Sequence, residues 1–258
     1  MSIIQGTAKG GSASFYDFPI GDSLRFDGSS YLSRTPSTAG NRKTWTWSGW
    51  VKLGNLSSDK NIFGGNLGSQ IDGGVTLSNS NNIGLSFNGN TYNKYASNVL
   101  RDISAWYHFV FALDTDNATA ADRIKIYVNG VEQTNYFTQN SGLPPSGYTP
   151  AYLNNANNHD IGKLVGYSLN YFDGYLANIQ FIDGQALDAS YFGETKQDIW
   201  VPKTFDGTSS TGGSTVSTDY GTNGFLLDFS SISGTTINDT APIDTNHSSA
   251  NNWTATGF

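Results

Sequence analysis

The chain of 258 residues contains no cysteine. Disulfides, thiolate metal centres and cysteine nucleophiles are thereby excluded, and stability must rest on packing and hydrogen bonding. Charge is scarce too: 14% of residues are ionised, and 14 cations against 21 anions give a formal net charge of −7. That balance, with no basic stripe anywhere, argues against a nucleic-acid partner. No apolar run approaches the length of a membrane-spanning helix, so membrane insertion is not expected. The opening MSIIQGTAKGG has no charged region followed by an apolar one, so no signal peptide is expected and folding in a cytoplasm is.

Small and polar residues fill the space that charge leaves, with 30 glycines and 14% aromatics. Such a mixture suits short strands, tight turns and stacked rings better than helices. From Ser23 onward, strand patterns recur. SLRFDGSSYLS offers Leu24 and Phe26, an Asp27-Gly28 turn, then Tyr31 and Leu32. TWTWSGWVK alternates Trp45, Trp47, Gly49 and Val51 against Thr44, Thr46, Ser48, Trp50 and Lys52. GVTLSNSNNIGLSF reads as a hairpin, and WYHFVFALD with RIKIYVNGVEQ as another strand pair, closed on itself by a two-residue Asn129-Gly130 turn. In FDGYLANIQFIDGQALDASYF, residues 172–192, strict alternation puts Tyr175, Ala177, Ile179 and Phe181 on a core face. Leu176, Asn178, Gln180 and Ile182 then fall on a wetter one. Leu187 is expected to drop back into the core and Asp188 to cap one short helical turn.

Many short strands separated by turn signals predict an all-β fold, a two-sheet antiparallel sandwich. Residues 1–22 read as an N-terminal docking arm and residues 23–200 as the jelly-roll domain. Residues 201–258 read as a linker and C-terminal segment packing on the sandwich or on a partner.

The order of SLRFDGSSYLS, TWTWSGWVK, WYHFVFALD…IKIYVNGVEQ and IG…YFDGYLANIQFIDGQAL resembles the laminin-G-like branch of the concanavalin A-like lectin/glucanase superfamily, over roughly residues 23–192. LSRTPSTAGNRKTWTWSGWVK and the tail TNGFLLDFSS…NNWT also resemble structural proteins of tailed phages of aquatic bacteria. The resemblance implies a concanavalin A-like jelly roll carried on a virion, as a tail or head fibre that recognises host-surface glycans. A capsid decoration or cement protein is the alternative. It also implies other virion proteins as partners of the arm and a homo-oligomer, a trimer by analogy with phage fibres.

A glycosidase is the alternative from another class. Laminarinase-type relatives need a Glu-x-Asp-x-x-Glu strand, whereas this chain has only Glu132 and Glu194, far apart, so a non-enzymatic protein is expected. For glycan binding, the aromatic candidates are Tyr92 and Tyr95, together with Tyr136, Phe137, Tyr148 and Tyr152 in the long polar loop; rings that merely staple the loop are the simpler reading. Trp45, Trp47 and Trp106 are expected in the core. Asp114, Asp116, Asn117 and Asp122 offer hard oxygen ligands for Ca2+ in one loop, although their spacing is not an EF-hand and a plain solvated loop is the default reading. His108 reads as a core or groove histidine, and His159 and His247 have no companions at ligand spacing.

Overall fold

A computed structural model describes residues 18–56, 58–67, 70–243, 247 and 250–258. Residues 1–17, most of the expected docking arm, lie outside the described residues. Among the described residues, nineteen strands follow one another with two single turns of 3-10 helix between them. The first seven are β1 (Leu24–Asp27), β2 (Tyr31–Arg34), β3 (Thr44–Leu53), β4 (Lys60–Leu67), β5 (Gln70–Leu77), β6 (Asn82–Phe87) and β7 (Tyr92–Val99). Then come β8 (Trp106–Asp114), β9 (Ile124–Val128), β10 (Val131–Glu132), β11 (Tyr136–Phe137), β12 (Asn158–Ile161) and β13 (Asp173–Asp183). The last are β14 (Gly193–Lys196), β15 (Ile199–Pro202), β16 (Phe225–Leu227), β17 (Ile232–Ser233), β18 (Thr236–Ile237) and β19 (Trp253–Thr256).

They form two antiparallel sheets and a small ribbon. One sheet runs β1-β13-β3-β8-β9-β10 with β16 also on β13, and the other runs β11-β7-β6-β5-β4-β12-β2-β19-β18-β17. Strands β14 and β15 make the ribbon. The expected sandwich is therefore the observed one. Between the sheets lie Trp45 and Trp47 of β3, Phe109 and Phe111 of β8, Ile124 and Ile126 of β9, and Val75, Ile83, Leu85 and Phe87 from the facing sheet. Phe63 is ringed by Phe181, Phe225 and Trp253 at 5.5–6.3 Å between ring centroids. Asn129 and Gly130 both take positive φ (49° and 80°), as a two-residue hairpin turn between β9 and β10 requires.

The long strand β13 departs from simple alternation. Its register against β3 shifts between Ala177 and Gln180, and Asn178 sits there at φ 44°. This is a β-bulge, which adds one residue and reverses the faces on either side of it. Leu176, Ile179 and Phe181 consequently share the core, while Ala177 and Gln180 point away and Tyr175 is 39% exposed. The core assignment of Tyr175 and Ala177 from strict period-two reading is corrected on that account.

The outward face of the same sheet carries a second apolar layer. Val110, Tyr127 and Ile182 meet Leu187, Tyr191, Phe192, Phe205 and Tyr220, so Leu187 enters this cluster rather than the central one. Asp188 caps the short turn Ala189–Tyr191 by accepting from the Ser190 amide. Residues 201–258 contribute to both sheets: β16 pairs with β13, and β19 with β2. Buried polar groups fasten this segment. Asp183 accepts from Asn154 Nδ2 (2.7 Å) and the Asn223 amide (3.1 Å), and Asp239 accepts from the amides of Leu226, Ala241 and Asn251 and faces His247 at 3.0 Å.

Candidate functional site

Five of the six aromatic residues singled out in the sequence lie around β7 and Tyr152 lies by β4 and β5, so they do not form one platform. Tyr95 and Phe137 are cross-strand partners between β7 and β11, stacked at 5.4 Å and 15°. Phe137 is 36% exposed, whereas Tyr95 is buried with its hydroxyl on Asn90 Oδ1. Tyr136, the neighbour of Phe137, covers the buried Lys94 ammonium at 4.4 Å, and that ammonium donates to the Ala121 and Ile124 carbonyls. Tyr92 and Tyr148 meet edge-to-face at 4.8 Å and lean on the core through Phe87. Burial raises the pKa of the Tyr148 phenol. Tyr152 is held by its backbone: its amide and that of Leu153 donate to buried Asp72. These rings staple the 134–160 loop to the sheet, with Phe137 left partly open.

The loop carboxylates are engaged locally. Asp114 accepts from the Asp116 amide, Asp116 is paired with Lys43 at 3.1 Å, Asn117 accepts from the Thr119 amide, and Asp122 lies 3.6 Å from Lys125. Among the described residues, no three His, Asp or Glu side chains are grouped to hold a metal ion. Glu132 stands on β10 beside Lys125, and Glu194 on the β14–β15 ribbon beside Lys196, so the two are carried by different sheets.

A cleft of about 250 Å³ opens instead on the outward face of the first sheet, beside the second apolar layer. Trp50 of β3, Trp106 of β8 and Trp200 of β15 line it, together with Ala177, Pro202 and the segment Pro19–Ser23. Trp106 is thus a cleft residue, correcting its expected place in the core. It shares a face with His108 and Val110, two and four residues along β8, and its cross-strand partner is Lys52, two residues from Trp50. That face was readable from alternation, which already set Trp50 opposite Trp45 and Trp47; sequence reasoning missed it by placing Trp106 in the core. Trp200 had no signal at all, since it reaches the cleft only through the ribbon.

His108 organises the rings. It is fully buried and stacked against Trp50 (4.9 Å, 23°) and Trp200 (6.0 Å, 24°). Trp200 Nε1–H donates to His108 Nδ1 at 3.0 Å, and because indole nitrogen can only donate, Nδ1 must be unprotonated. The imidazole proton is therefore on Nε2, which donates to Ser48 Oγ at 2.9 Å. Burial pushes the His108 pKa down to about 3, so the ring is neutral at ordinary pH. Trp200 itself lies against two glycines: a Cβ at Gly193 would come 2.3 Å from Cζ2, and one at Gly130 would come 2.5 Å from Cε3 on the opposite edge. The far wall is extended by Tyr175, 6.4 Å from Trp106 and covered by the Arg25 guanidinium at 5.3 Å. The result is a fixed set of indole faces around a concave space, suited to flat apolar ligand surfaces that also carry hydrogen-bonding groups.

Comparison with known proteins agrees with the fold. Comparison with curated protein sequences finds no match. Among solved structures, a putative carbohydrate binding protein from Bacteroides ovatus superposes with a TM-score of 0.53 at 15% identity, over 91% of this chain and 58% of that one. A heptameric SAP-like pentraxin from Limulus polyphemus gives 0.47 at 19% identity (64% and 76% covered). Domain 4 of the arabinanase AbnA from Geobacillus stearothermophilus, in complex with arabinotriose, gives 0.44 at 19% (71% and 81%). Residues 26–190 match the profile of a laminin-G-like family described as concanavalin A-like lectin/glucanases, which covers more than half of the sequence. This chain belongs to the concanavalin A-like lectin/glucanases superfamily.

Proposed function

We propose that this protein is a glycan-recognition module and that the cleft between Trp50, Trp106 and Trp200 is where the sugar lies. The observation that carries the reading is the preset arrangement of three indoles around one concavity. Sugars present apolar C–H faces that stack on aromatic rings and hydroxyls that bond to polar groups at the margin. Here His108 fixes two of the rings before any ligand arrives, so little side-chain freedom is lost on binding. The superfamily's lectin character and the name of the Bacteroides ovatus relative support the same direction.

Removal of one ring by Trp50→Ala or Trp200→Ala should cost about 1–2 kcal/mol, roughly a tenfold loss of affinity. The check is calorimetric titration of the purified protein with a panel of oligosaccharides, with Phe137→Ala as the variant expected to bind normally. Retained affinity in both tryptophan variants would refute the assignment of the cleft.

The resemblance of its opening strands and tail to tailed-phage structural proteins supports display of this module on a virion, as a fibre or decoration subunit docked by residues 1–22 in a homo-oligomer. The Glu132 and Glu194 positions, each beside a lysine on a separate sheet, favour binding over hydrolysis. Saturable adsorption of labelled protein to host cells, competed by phage, is the expected result. Antibody labelling that finds none of it on purified virions would refute the virion role.

A further inference from the structure

We propose that the tryptophan cleft selects uncharged glycans over acidic ones, and that Asp22 sets this selectivity; the inference rests on the cleft being the sugar site. Among the described residues, Asp22 is the only ionisable one lining the cleft. Its carboxylate makes no hydrogen bond or ion pair among the described residues. It stands two residues before β1, whose pairing of Leu24 with Leu176 anchors the segment against β13.

The nearest cation to Asp22 in sequence, Arg25, is committed elsewhere. Arg25 pairs with Asp173 at 2.6 Å, donates to the Gly174 carbonyl and covers Tyr175. Lys52 lies opposite Trp106 and Tyr175 in the sheet and is not part of the cleft lining. An unpaired carboxylate beside three indoles accepts readily from sugar hydroxyls, and such charge-assisted bonds are stronger than neutral ones. The same group repels a uronate or sialate, and the indole faces, negative in their quadrupole, add to the repulsion. A neutral sugar meets no such opposition.

The test is titration of the folded protein with neutral hexasaccharides (gluco, manno and xylo series) and with uronic-acid hexasaccharides, at low and moderate salt. Wild type should bind its best neutral hexasaccharide about tenfold more tightly than any acidic one, the gap narrowing with salt. Asp22→Asn, nearly isosteric, should close most of that gap by weakening neutral binding and strengthening acidic binding. Equal or tighter binding of the acidic series by wild type would overturn the proposal. So would an unchanged ratio in Asp22→Asn when Trp50→Ala still weakens binding about tenfold; in that case the cleft remains the sugar site and only the role of Asp22 falls. Binding of neither series by folded wild type would overturn both readings together.

Discussion

Alanine at Gly193 probes how the cleft is built without touching any ring. The added Cβ would stand 2.3 Å from Cζ2 and 2.5 Å from Cε2 of Trp200. Carbon atoms in ordinary contact are roughly 3.5–4 Å apart, so the indole must retreat by more than about 1 Å. Gly130 meets the opposite edge of the ring, and the Trp200 Nε1–H is held by His108 at 3.0 Å, so the retreat strains that hydrogen bond and the stacking on the imidazole. Overpacking of this kind costs about 1–3 kcal/mol, a fall of roughly 2–10 °C in Tm for a chain of this size. The variant should keep its far-UV circular dichroism, change its near-UV tryptophan signal, and lose sugar affinity about tenfold or more. A variant with wild-type Tm, near-UV spectrum and affinity would refute the packing of Trp200 and with it the account of the cleft.

Acidification tests the buried histidines: burial holds His108 and His159 down at about 3 and about 4. Below about pH 6.5 the unfolded chain binds protons that the folded chain refuses, so stability should decline from there toward pH 4, by up to roughly 1.4 kcal/mol per pH unit for each histidine. Urea denaturation at several pH values should show a shallower decline in His108→Asn, and parallel slopes would refute it. Trp45→Ala, in the centre of the sandwich, should cost about 3–5 kcal/mol by chemical denaturation. Asn178→Val should destabilise by about 1–2 kcal/mol because a β-branched residue resists positive φ, whereas Asn178→Gly should be nearly neutral. Phe137→Ala should shift stability by less than about 1 kcal/mol, since its ring is partly exposed.

The sandwich was legible because its strands alternate and their turns carry their own signatures: Asn129-Gly130 has the φ pair its sequence calls for, and Trp45 and Trp47 lie where period two puts them. What alternation could not reveal is a bulge. An extra residue at Asn178 leaves no mark in composition, yet it moved Tyr175 and Ala177 to the opposite face and so helped to open the floor of the cleft. The loop aromatics drew attention because exposed rings in polar loops are conspicuous. Trp50 and Trp106 were disguised by their strands, and Trp200 became a neighbour only through long-range packing. Sites assembled from distant segments are invisible to spacing rules, and this one joins residues 19–23, 50, 106 and 200.

The weaving of the C-terminal segment into both sheets has a consequence for how the molecule comes into being. β19 covers one side of β2, with Thr254 opposite Ser33, and its Trp253 completes the aromatic ring around Phe63. Contacts between such remote parts of a chain carry a large loop-closure cost before they yield any stabilisation, which makes folding slow. Until residues 253–256 arrive, β2 presents unpaired amides and carbonyls to any passing strand, beside a hole where Trp253 belongs. A chain folded only up to Trp200 would keep that edge open to self-association, and pairing with β19 is what closes it.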